Sequence, residues 1–217
     1  MTRMSVAIPP STRSLPVPAD RRARIWRYMN FAKFVSLIDA EALFFAPVGR
    51  FSDTREGGGA AAPPDVAVSS WHLSDHESEA MWRLYSPREE AVAVQSTYER
   101  LRGALPDCVR IHQVTYVDEP ERQARTDHLS GFFYKRRAYE HEKELRAVFP
   151  LADAAAAGDR ARATDGGWFF GIDADGVVER VYVSPFAADW FRAVVVGVTR
   201  RYGHRFPVER SALTGTV

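Results

Sequence analysis

An α+β fold built on a mixed or antiparallel sheet is what this chain predicts, and three observations predict it. Short runs rich in β-branched and aromatic residues recur along the sequence. Helical periodicity intervenes between only some of them. The resulting order lacks the regular strand–helix–strand alternation of a doubly wound parallel sheet. The expectation is one domain with about seven short strands flanked by four or five helices. At 217 residues and 24.4 kDa the chain is long enough for one sizeable core.

The elements follow in order. Residues 1–22 hold prolines, serines and scattered arginines without an apolar stretch, so they read as a disordered tail and not a secretory signal. The domain is expected over 23–217. Ile25 to Tyr28 suits a strand. Asn30 can cap a helix whose Phe31, Phe34, Val35 and Ile38 recur at helical spacing. Ala42 to Ala46 is a second strand, ended by Pro47. Residues 47–65, with Gly57, Gly58 and Gly59, read as a long loop without the Lys-Ser/Thr ending of a phosphate loop. Val66 to Trp71 is a strand. Ser74 and Glu77 match a capping box ahead of a helix carrying Met81, Trp82 and Tyr85. Ala91 to Gln95 is a strand, and Ser96 with Glu99 matches a second capping box. Val109 to Val117 and Leu145 to Phe149 are strands, with a charged, helical or mixed stretch between them. Residues 151–166 read as an exposed connection. Trp168 to Ile172 and Val177 to Val183 predict a hairpin, and Ser184-Pro185 the start of a helix with Phe186, Trp190, Val194, Val195 and Val198 on a wide buried face. Phe206 to Val208 suits a last strand.

Composition excludes several functions. Basic and acidic residues number 29 and 28, so no strongly basic nucleic-acid-binding chain is indicated, although a local patch is allowed. The single cysteine, Cys108, excludes an internal disulfide framework and a Cys-rich zinc site. The longest aliphatic stretch, Ala193 to Val198, is far short of the roughly 18 residues of a membrane span. A cytoplasmic protein with no membrane partner and no bound metal is the expectation.

The densest ionisable cluster runs from Lys135 to Arg146 and ends in the apolar segment Ala147 to Phe149. If residues 142–146 are extended, Glu142, Glu144 and Arg146 share one face. Two carboxylates and a guanidinium aimed together suit an acid/base or substrate-orienting site; a solvated charge run is the plainer alternative. His72 and His76 have the spacing of a helical zinc pair, but the helix is expected to begin at Ser74, which leaves His72 on the strand. Trp71, Trp82 and Tyr85 suit either core or a ring-stacking surface. Asp53 and Glu56 suit either a polar site or a solvated turn.

Taken together, Trp26-Arg27-Tyr28-Met29, Leu43-Phe44-Phe45-Ala46, Phe51-Ser52-Asp53 with Glu56-Gly57, and Trp71-His72 resemble the bacterial domain-of-unknown-function family 2971. The likeness continues through Glu77 to Ser86, with its Met81-Trp82-x-x-Tyr85 core, then Ala93 to Ser96, Lys135-Arg136, His141 to Arg146, and Val183-Ser184-Pro185. The family usually has Asp-Pro-Phe-Glu where this chain has Asp53-Thr54-Arg55-Glu56. No settled activity comes with that resemblance. A more distant likeness is to the ADP-ribosyltransferase fold, whose members open on a strand with a basic or aromatic contact to NAD and place a catalytic glutamate at the start of a late strand. That likeness implies NAD as a substrate, Arg27 with Glu144 or Glu142 as the catalytic set, and a toxin or phage-defence role. It gives substrate-binding roles to Arg146, Trp82 and Tyr85, and a nucleotide or macromolecule as acceptor; Asp53, Glu56, His72 and Lys135, from the stretches shared with family 2971, are further candidate substrate-binding residues. Two alternatives stay open: a magnesium-dependent nuclease using Asp53, Glu56, Glu142 and Glu144, and a non-catalytic binding or regulatory domain.

Overall fold

The computed structural model describes residues 15–48, 65–86, 89–119 and 129–213. The glycine loop with Asp53 and Glu56 lies outside them, as does most of the expected tail. Within 15–22, Pro16 and Arg21 accept backbone hydrogen bonds from Gln113 and Glu99.

The chain runs β1 (Arg24–Asn30), α1 (Phe31–Asp39), β2 (Ala42–Pro47), β3 (Val66–Leu73), α2 (Glu79–Tyr85), β4 (Ala91–Thr97) and α3 (Tyr98–Ala104). It continues with β5 (Arg110–Gln113), β6 (Thr115–Val117), β7 (Tyr134–Arg136), β8 (Glu144–Pro150), α4 (Ala154–Ala157), β9 (Ala161–Thr164) and β10 (Gly167–Gly171). Last come α5 (Ala174–Val177), β11 (Arg180–Val183), α6 (Asp189–Arg201) and β12 (Val208–Arg210). This is the expected α+β class. The sheet is mostly antiparallel; among the described residues parallel pairing occurs only between β11 and β12 and, in a separate small ribbon, between β6 and β7.

Local chemistry explains the elements. Asn30 caps α1 by accepting the amide of Lys33 at 2.9 Å, as its position predicts. Phe34, Leu37 and Ile38 are then buried on one side, each worth about 1.5–3 kcal/mol of apolar burial. The other caps differ from expectation by tertiary demand. Ser78, not Ser74, caps α2, because Glu77 is occupied by the Trp82 indole and the Ala212 amide. Thr97, not Ser96, caps α3, because the Ser96 hydroxyl donates to the buried Val177 carbonyl. The expected hairpin over 168–183 does not form: β10 lies between β2 and β9, and β11 between β4 and β12. The expected connection 151–166 contains α4 and strand β9. α6 begins at Asp189, and its buried residues are Phe191, Val195 and Thr199, while Trp190 and Val194 are exposed.

The pairing register contains a fork, and the fork makes the site. One edge of β3 pairs with β8 from Val66 to His72. Its other edge is divided: His72 and Leu73 pair with β1, whereas Ala67 and Val68 pair with β2. Ser69 to Trp71 have no ladder partner on that edge among the described residues. β1 pairs with β4 over all its residues but meets β3 only at Ile25 and Trp26. From Arg27 onward β1 therefore diverges from β3, and a cleft opens between them, floored by β2.

Candidate active site

The cleft is a cavity of about 780 Å³. Its walls come from β1 (Arg27, Tyr28), β2 (Phe44), β3 (Ser70, Trp71, His72), α1 (Lys33) and the late charged segment (Lys135, Glu142, Glu144, Arg146). Residues separated by more than a hundred positions thus meet at the fork.

β8 supplies a wall of paired charges. Glu144 opens this strand and Arg146 follows two residues later on the same face. Arg146 donates through Nε to Glu144 Oε1 at 3.0 Å and through Nη2 to Oε2 at 2.7 Å. Its Nη1 donates to the Phe132 carbonyl at 2.7 Å. Glu142 is not on the strand, as the simple alternation expected, but at the end of a 3-10 turn over Arg137–Glu142. Lys143, with φ of 41°, turns the backbone between the two glutamates. Lys135 on β7 bridges them, with Nζ at 2.7 Å from Glu142 Oε2 and 3.7 Å from Glu144 Oε2. All four charged side chains are buried. Burial alone would push the Glu144 carboxyl up. The Arg146 charge and its hydrogen bonds, with Lys135 and the Ser70 hydroxyl, outweigh that and hold it below the ordinary carboxylate range.

The opposite wall is cationic. Arg27 donates through Nη2 to the Phe44 carbonyl at 2.8 Å, which ties β1 to β2 across the cleft floor. Its guanidinium lies 5.8 Å from the centroid of the Trp71 ring. Burial lowers its pKa to about 10, so it remains a cation at neutral pH. Neither Arg27 nor Lys33 has a carboxylate partner among the described residues. Arg27, Lys33, Lys135 and Arg146 against Glu142 and Glu144 leave the described walls with an excess of two positive charges. An anion carrying about two charges suits that balance.

His72 sits between the walls. Its Nδ1 is 2.6 Å from the Glu142 carbonyl oxygen. A carbonyl can only accept, so Nδ1 carries the proton and Nε2 the lone pair. Burial pushes the imidazole pKa below its usual value, which keeps the ring neutral at pH 7.

The other expected site residues are placed as follows. Tyr85 lines the cavity mouth and is half exposed. Trp82 does not line the cavity; it is fully buried behind Tyr28, with ring centroids 4.9 Å apart. Asp53 and Glu56 lie outside the described residues. His72 and His76 form no zinc pair, since His72 is on β3 and bonded to the Glu142 carbonyl. Among the described residues no group of three or more His, Cys, Asp or Glu side chains could hold a metal ion. No helix among them is long and apolar enough to cross a membrane.

Sequence reasoning missed Ser70, Lys33 and Phe44. Ser70 had a readable signal: it alternates with His72 on β3, and β3 pairs with β8 so that Ser70 stands opposite Arg146 and His72 opposite Glu144. The Phe44 contribution is a main-chain carbonyl, which no residue type announces.

No family model matches the chain. No curated protein matches its sequence. Among solved structures, Thermus sp. 2.9 DarT in complex with NAD+ is similar over 88% of this chain and 96% of that one, at 10% identity and a TM-score of 0.46. The same protein in complex with ADP-ribosylated ssDNA gives 91% and 97% coverage, 10% identity and a TM-score of 0.47. Its complex with carba-NAD+ gives 88% and 96%, 10% and 0.43. At this distance the likeness decides no chemistry, which the residues themselves must carry.

Proposed function

We propose that the protein consumes NAD and transfers its ADP-ribose to an acceptor, or to water. The observation that carries this reading is the division of one cavity into two ionic halves. On one side stand Arg27 and Lys33, without carboxylate partners among the described residues; on the other stands a buried, ionised and doubly gripped Glu144.

A diphosphate matches the cationic side. Arg27 offers the guanidinium N–H groups that the Phe44 carbonyl leaves unused, in a fork that suits phosphate oxygens. Glu144 faces the position where positive charge would grow on the ribose as nicotinamide departs with the bond electrons. A carboxylate already fixed by Arg146 and Ser70 stabilises that charge without reorganising. Glu142, held by Lys135, stands beside it and faces the incoming acceptor. Tyr85 at the mouth supplies a ring on which a flat base can stack.

NAD and a nucleotide or macromolecular acceptor are thus the substrate classes, and a toxin or phage-defence role is the physiological side of the reading. The DarT complexes contain NAD+, carba-NAD+ and ADP-ribosylated ssDNA; for this chain the reading stands on its own cavity.

The test is calorimetric NAD binding with nicotinamide release followed in parallel. Wild type should bind and release. Glu144→Gln should bind within a few-fold and lose release, while Glu142→Gln should retain part of it. A folded wild type that neither binds NAD nor releases nicotinamide overturns the proposal. Growth arrest on expression in a bacterial host, relieved by Glu144→Gln, tests the toxin side.

A further inference from the structure

His72 is placed for more than binding. Its Nδ1–H is spent on the Glu142 carbonyl at 2.6 Å, which fixes both the tautomer and the ring plane. Its Nε2 makes no hydrogen bond among the described residues, and the ring lines the cavity. The unpartnered atoms sealed from solvent are others, Trp71 Nε1 and Ser69 Oγ among them. The cavity therefore contains a neutral nitrogen lone pair on a ring that cannot turn away.

We infer that His72 Nε2 is the general base that takes the proton from the acceptor nucleophile. This rests on the transferase reading above and adds the acceptor class: a neutral O–H or N–H group, water included. As the bond from the ribose C1′ to nicotinamide breaks, its electron pair leaves with nicotinamide and neutralises the pyridinium. The acceptor's oxygen or nitrogen lone pair forms the new bond to C1′. Its proton passes to Nε2, giving an imidazolium that returns the proton to water when the product leaves. A carboxylate acceptor has no proton to give and no use for such a base.

The Glu142 charge and carbonyl favour the imidazolium formed in that step, while burial disfavours it. Glu144 on β8 stands at the register position opposite His72, and Glu142 supplies the carbonyl on the far side of the ring. Lys143 and His141 oppose the charge, and Tyr28 on β1 meets the ring edge-on at 6.2 Å. The burial that lowers the imidazole pKa keeps Nε2 unprotonated at pH 7.

The test uses the full chain with NAD as the only probe, water acting as acceptor. His72→Asn is the informative variant, because the Asn amide can still donate to the Glu142 carbonyl while offering no base at the Nε2 position. The expected result is NAD affinity within about threefold of wild type and nicotinamide release slowed about 100-fold. The acid limb of the wild-type rate profile, set by the imidazole, should disappear. Release by His72→Asn within threefold of wild type, with the same acid limb, overturns the inference and leaves the transferase reading intact. A wild type that binds no NAD overturns both. If His72→Asn does not fold, nitrogen NMR of the wild-type imidazole decides: Nε2 must be the unprotonated nitrogen and must shift with a non-hydrolysable NAD analogue, and a ring protonated on Nε2 at pH 7 overturns the inference.

Discussion

Glu144 and Arg146, two residues apart on β8, grip one another through both carboxylate oxygens, at 3.0 and 2.7 Å. The strand's two-residue repeat puts them on one face, and the Phe132 carbonyl fixes the third corner of the guanidinium. Arg146 is 1% exposed, so the pair is buried in the wall of the cavity rather than spread on its surface.

Removing one partner should be far worse than removing both. Arg146→Met leaves the buried Glu144 carboxylate to the more distant Lys135, at 3.7 Å, and is expected to cost about 3–5 kcal/mol. The double variant with Glu144→Gln should recover much of that loss. Urea unfolding of the three proteins checks this; a double variant no more stable than Arg146→Met would show that the ion pair is not the source of the loss.

Acid sensitivity follows from the same carboxyl. Its folded pKa is lowered from the ordinary 4.5, so its contribution is present above pH 4.5 and drains away as pH falls through the lower folded value. Wild type should lose stability through that acid window. Glu144→Gln should show a shallower loss there. Thermal midpoints from pH 6 down to pH 2 decide it, and parallel curves for the two proteins would contradict the assignment.

Arg27 should matter for affinity, and lysine should not replace it. A lysine ammonium cannot hold the Phe44 carbonyl and present a planar fork to an anion at the same time. Arg27→Lys is expected to weaken NAD binding about tenfold or more, while the melting temperature moves little. Calorimetry reads the first and a melting curve the second. Unchanged affinity would remove Arg27 from the site.

Lys143 tests the turn between the two glutamates. Its φ of 41° is left-handed, a region that costs an ordinary side chain about 1–2 kcal/mol and glycine nothing. Its side chain is exposed, so the backbone is what counts. Lys143→Gly should be neutral to slightly stabilising, because the relieved strain outweighs or offsets the entropy that glycine loses on folding, and should keep nicotinamide release. Lys143→Val should lose about 1–2 kcal/mol and most of the activity. Equal behaviour of the two variants would mean that this turn does not set the glutamates.

The parts legible in the sequence are those fixed by local chemistry. The Asn30 cap and the spacing of Phe34 and Ile38 define α1 without outside help. The pairing of Glu144 with Arg146 was readable because both lie on one face of the extended β8, whereas Glu142 and Lys135 join them from a 3-10 turn and from β7, which alternation does not announce. Partner choice was not readable. Nothing in Trp168 to Phe170 says that their neighbours are Phe45 to Leu43 and not Val177 onward. Trp82 illustrates the same limit: a buried aromatic and a stacking aromatic look alike until the position of Tyr28 is known. Trp190 misled in the opposite direction, since helical spacing predicts a buried stripe but not its width.

The divided register of β3 has a further consequence. An unpaired strand edge on the outside of a protein is a template for another chain and a route to aggregation. Here, among the described residues, the bare edges of Ser70 and Trp71 and of Arg27 to Met29 face the cavity. The cavity beside them, about 780 Å³, is of the size that takes a small molecule. Recognition by main-chain groups is thereby kept apart from the hazard that usually accompanies it, and the walls can change their side chains without creating a sticky surface.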